Sequence, residues 1–122
     1  MWLAIASVAD GEADAVVSAG NTGALMAMSK LQFRTMPGVT RPAIAAFFPT
    51  TGDLMCMLDL GANLECDAEN LVQFAILGQA FFRSLTGEAT PRVGLLNVGE
   101  EEQKGHEYIR DCLLYTSDAA DD

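Results

Sequence analysis

Arg92-Val-Gly-Leu-Leu-Asn-Val-Gly-Glu-Glu-Glu-Gln-Lys-Gly-His-Glu107 opens with an apolar run, Val93 to Val98. That run is too short for a helix and rich enough in branched residues for a buried strand. Gly99 ends it, three glutamates and Lys104-Gly105 follow, and a helical pattern resumes at about Glu107. A buried strand that stops at glycine and opens into a polar loop before a helix marks an α/β sheet, and such strand ends are where these sheets place ligands. A solvated turn of mixed charge would give the same local pattern from Glu100 to Lys104.

Earlier in the chain, Ser18-Ala-Gly-Asn-Thr-Gly-Ala24 makes a small-residue turn into an apolar-periodic helix over about Thr22–Gln32, behind a short expected strand, Ala15 to Ser18. Asn21 or Thr22 can cap that helix, and its free N–H groups and dipole favour an anion. A plain capped turn would look the same. The spacing is neither GxGxxG nor GxxxxGK[ST]. Ala43 to Phe48 and Leu54 to Leu60 are apolar runs joined by Thr50-Thr-Gly-Asp53, which predicts a β-hairpin and hence a mixed sheet. Asp59, followed by Gly61 and Asn63, either faces a site or pairs with nearby backbone N–H groups. Asp67 to Leu85 reads as a helix capped by Asp67, with Leu71, Phe74, Gly78 and Phe81 on a broad apolar face. That breadth suggests burial against a sheet or a second subunit.

The 122 residues suit one domain or part of a larger one, and half are hydrophobic, enough for a sizeable core. A net charge of -10 argues against a nucleic-acid binder, which needs a basic face. An acidic chain still holds a small anion where one lysine or helix start provides for it. Cys56, Cys66 and Cys112 form no CxxC pair, and one histidine, His106, completes no zinc site, so reduced thiols in a cytosolic protein are expected, with Cys56 in the core. The five methionines from Met26 to Met57 read as packing. No apolar run is long enough to span a bilayer, and the first residues make a poor signal peptide. Trp2 to Ala9 reads as helix without a cap before it, which suggests a fragment cut inside an element. The end, Cys112-Leu-Leu-Tyr-Thr-Ser-Asp-Ala-Ala-Asp-Asp122, breaks the periodicity and resembles translated adapter read-through; without it the charge is about -7. The expected organisation is residues 1–111 as part of one domain and 112–122 as an artefactual tail.

Gly11-Glu-Ala-Asp-Ala15, Ser18-Ala-Gly-Asn-Thr-Gly-Ala-Leu25, Arg41-Pro-Ala-Ile44, Leu58-Asp-Leu-Gly-Ala-Asn63, Leu71-Val-Gln-Phe-Ala75 and Pro91-Arg-Val-Gly-Leu-Leu-Asn-Val-Gly-Glu-Glu-Glu102 with Lys104-Gly105 together resemble the PlsX family. These are bacterial phosphate acyltransferases of phospholipid synthesis. The resemblance runs in order from about Ala9 to Ile109, as an internal segment of a longer chain. It implies a three-layer α/β/α sandwich similar to isocitrate and isopropylmalate dehydrogenases. It also implies acyl transfer from acyl carrier protein to inorganic phosphate, a homodimer, no metal or organic cofactor, and a cytoplasmic location with peripheral membrane association.

Residue by residue, the resemblance implies that Lys104 binds phosphate or polarises the thioester carbonyl. Asn21, Thr22 and Gly23 would supply donors to phosphate, and Asp59, Asn63 and Asn97 would line the cleft. Glu100 and Glu101 would orient Lys104 or water, or serve structure alone. His106 stands where the family usually has asparagine and keeps a polar group there, or is simply a surface residue. A phosphotransacetylase-like enzyme using acyl-coenzyme A and a catalytically inert fragment are the competing expectations. A dehydrogenase would need metal-binding aspartates and a nucleotide loop, neither of which is recognisable.

Overall fold

The computed structural model describes residues 1–97, 99, 107 and 109–112. It forms two compact units, Met1–Pro42 and a second that begins at Ala43.

The first unit is helical. α1 (Trp2–Ala9) has no side-chain cap at its start and ends at Asp10, where Gly11 takes a left-handed φ of 76°. α2 (Thr22–Phe33) begins at Asn21 and packs on α1. Lys30, in the last turn of α2, donates from Nζ to the Thr40 carbonyl at 2.9 Å and ties the following loop back to the helix. The strand expected at Ala15 to Ser18 is not formed, and Val17 is 97 % exposed. A strand needs a neighbour to take its N–H and C=O groups. The described residues of this unit supply none.

The second unit holds the hairpin. β1 (Ala46–Pro49) pairs antiparallel with β2 (Leu54–Met57), in the register Ala46 to Met57 and Pro49 to Leu54. Thr50 closes the loop: its Oγ1 accepts from the Asp53 amide at 3.1 Å and from Gly52 at 3.3 Å. Proline at the end of β1 costs no ladder bond that a terminal position would need. The hairpin is as expected, but β2 stops before Leu60. The sheet among the described residues is two-stranded and antiparallel, not mixed.

α3 (Ala68–Thr86) is the longest element. Asp67 accepts from the Asn70 amide at 2.8 Å, and the Asn70 side chain accepts from the Asp67 amide, a complete capping box. Gly87 ends the helix with φ 77°, the left-handed conformation that glycine adopts without penalty. The helix lies against the hairpin. Phe47 meets the rings of Phe81 and Phe82 at 5.6 and 5.8 Å, and Gly78 lets the Leu58 side chain come close. The aromatic separations are those of favourable tilted pairs.

After α3 the chain departs from expectation. Residues 91–97 carry no regular structure, and Leu96 is 81 % exposed. Val98 lies outside the described residues. Among those described, β1 and β2 pair only with each other, so this run lacks the ladder partner that would make it a strand. Residues 107 and 109–112 are helical, in line with the pattern that resumes at Glu107. The described core is small. Ile5, Phe74 and Cys112 are buried, whereas Leu64 is 98 % exposed. No helix among the described residues is long and apolar enough to cross a membrane.

Candidate active site

In the first unit the candidate anion site is the start of α2. Asn21 is extended, with ψ 125°, and its Oδ1 accepts from the Ala24 amide at 3.0 Å. The Leu25 amide donates to the Asn21 carbonyl at 3.0 Å. The cap thus satisfies the third amide of the helix and the ladder satisfies the fourth. The amides of Thr22 and Gly23 have no protein acceptor among the described residues, and both residues are exposed. No acidic residue sits in the first turn. Partial positive charge from the dipole therefore meets solvent through two open donors. A side chain at position 23 would begin 3.3 Å from Asn21 Oδ1, so glycine there keeps the cap uncrowded.

In the second unit Asp59 and Asn63 are brought together at the open end of the hairpin. The paired register ends at Ala46 and Met57. The backbone does not continue as a ladder there. Asp59 Oδ1 accepts from the Ile44 amide at 2.8 Å instead. Oδ2 accepts from the Asn63 amide at 2.7 Å and from Asn63 Nδ2 at 3.1 Å. The Leu60 amide returns a bond to the Ile44 carbonyl at 3.1 Å. Gly61 takes φ 77° and turns the chain between the two partners. Asp59 thus pairs with nearby backbone N–H groups, one of the two readings open for it. Asn97 is half-buried in the irregular run after Leu96. Lys104, Glu100, Glu101 and His106 lie outside the described residues.

Sequence reasoning missed a groove in the second unit, of about 1180 Å³. Its apolar wall is β2 with Leu58 and one face of α3, Leu71, Phe74, Gly78 and Phe82; residues 90–95 form the other side. The helical spacing of those α3 residues was legible, but which element they would face was not. Asp53, Glu88 and Arg92 place charge of both signs at its edge. Cys56 also lines it, and burial pushes this thiol above its ordinary value. All three cysteines are thiols, with Cys56 only half-buried. Among the described residues no three His, Cys, Asp or Glu side chains gather as a metal site would require.

A family model described as "Fatty acid synthesis protein" matches residues 1–119. The chain is 66 % identical over 110 residues to the phosphate acyltransferase of Rhodospirillum centenum, covering 90 % of this chain and 31 % of that protein. It is 60 % identical over 121 residues to the phosphate acyltransferase of Erythrobacter litoralis, covering 98 % and 34 %. With the phosphate acyltransferase of Granulibacter bethesdensis the identity is 55 % over 122 residues, covering 98 % and 33 %. The chain thus spans about a third of the length of the curated relatives it matches.

Proposed function

The chain belongs to the fatty acid synthesis protein family, of the PlsX type, and from that premise we propose that the whole protein moves a fatty acyl group from acyl-acyl carrier protein to inorganic phosphate. The observation that carries this reading is the 66 % identity to a protein named phosphate acyltransferase. The acyl phosphate formed feeds phospholipid synthesis. The three-layer α/β/α sandwich, the homodimer and a cytoplasmic enzyme that touches the membrane peripherally belong to the same proposal.

A phosphate oxygen attacks the thioester carbonyl carbon. The C–O bond forms, an oxyanion develops, and the C–S bond breaks to release the carrier's thiolate, which takes up a proton. Phosphate is the nucleophile, so the protein contributes positioning and electrostatics and no nucleophile of its own. The open Thr22 and Gly23 amides, held by the Asn21 cap, suit a phosphate oxygen. Lys104 binds phosphate or polarises the carbonyl, Glu100 and Glu101 orient it, and Asn97 and His106 add polar contacts. Asn63 is assigned to the cleft in the same proposal. No metal or organic cofactor enters the scheme.

The test follows thiol release by the full-length protein, with phosphate present and absent, from two donors. Phosphate-dependent release from acyl-acyl carrier protein is the expected result. Release from acyl-coenzyme A alone would move the enzyme to the phosphotransacetylase kind.

A further inference from the structure

Asp59 occupies the point where the hairpin ladder gives way to the turn that leads into α3. The ladder ends at Ala46 and Met57, and beyond it Asp59 Oδ1 accepts from the Ile44 amide at 2.8 Å. The other oxygen holds both the backbone and the side-chain nitrogen of Asn63. We infer that Asp59 is a positioning residue that acts through Asn63: it fixes the turn at Gly61–Asn63 to the base of the hairpin and does not itself touch substrate. The inference rests on the acyl-to-phosphate reading above.

Three observations carry it. Each Asp59 oxygen already accepts from a protein amide, so the carboxylate is engaged in holding the backbone. A carboxylate beside a phosphate anion would repel it, whereas a carboxylate bound to amides is a sound anchor. The bond from Nδ2 also decides which end of the Asn63 amide faces Asp59, which an amide free to turn over would not settle. Gly61, at φ 77°, supplies the reversal that lets residues 59 and 63 meet.

The experiment is a double-mutant cycle in the full-length protein, read as kcat/KM for phosphate, with Asp59→Asn, Asn63→Ala and both. Asparagine keeps the shape of the side chain but has one acceptor oxygen, so its NH2 group must face either the Ile44 amide or the donors of residue 63. Alone, Asp59→Asn is expected to lower kcat/KM on the order of tenfold or more, as a misplaced site does. In the Asn63→Ala background its further effect should stay within about twofold, because the route through Asn63 is already lost. Losses that multiply, or an Asp59→Asn protein with undiminished kcat/KM, overturn the inference. Hydrogen exchange on the wild-type protein gives a readout that needs no variant. The Ile44 and Asn63 amides should exchange slowly, and fast exchange at both removes the anchor. Turnover of the wild type tests the reaction itself, separately from this cycle.

Discussion

Asn21 and Asp59 show how one polar side chain can fix local structure in an otherwise apolar chain. Each accepts from backbone amides, one at the start of α2 and one at the base of the hairpin. The capping role of Asn21 is legible in sequence because the cap and its partner are three residues apart. The bond from Ile44 to Asp59 spans fifteen residues, so no local pattern announces it. Lys104 carries the heaviest chemical proposal at this scale. In the full-length enzyme Lys104→Ala should lower kcat by roughly 10²–10³-fold, the loss typical of removing one donor to a developing oxyanion. Unchanged turnover would move phosphate binding or carbonyl polarisation elsewhere. Cys56 offers a pH test. Burial raises its pKa, so less thiolate is present at neutral pH than for an ordinary cysteine. Its alkylation, followed by mass spectrometry of the tryptic peptide, should be slower than that of a free thiol at pH 7.5. The rate should still be climbing above the pH where a free thiol levels off.

At the scale of elements, α3 and the hairpin were readable and the isolated strands were not. α3 has its signals within its own span: Asp67 and Asn70 at one end, Gly87 at the other, and apolar residues at helical spacing between. The hairpin needs only its own two arms and the Thr50–Asp53 turn. Ala15–Ser18 and Val93–Val98 have apolar runs of strand type, but a run of that kind becomes a strand only against a neighbour that its own composition does not name. The caps of α3 are testable. Asp67→Ala removes the acceptor for the Asn70 amide and should cost about 1 kcal/mol in thermal or denaturant unfolding of the full-length protein. Gly87→Ala forces a side chain into the left-handed region and should cost about 1 kcal/mol as well. A Gly87→Ala protein as stable as wild type would mean that α3 ends differently from the structure described.

Across the whole molecule, charge and composition limited the function before any site was named. A chain of net charge -10 can hold an anion only by local means, and the proposed place is the α2 start, which has no acidic residue in its first turn. The family was legible only through motifs taken together, because no single turn or charge run in this chain is specific. Large exposed apolar side chains accompany a chain that spans about a third of its relatives. The identity of the acyl acceptor is the central claim, and isotopic phosphate reads it most directly. Full-length protein would be incubated with acyl-acyl carrier protein and labelled inorganic phosphate, and the lipid-soluble product collected as thiol is released. The account predicts one labelled phosphate in acyl phosphate for each thiol set free. Thiol release that yields unlabelled free fatty acid would make water the acceptor and contradict it.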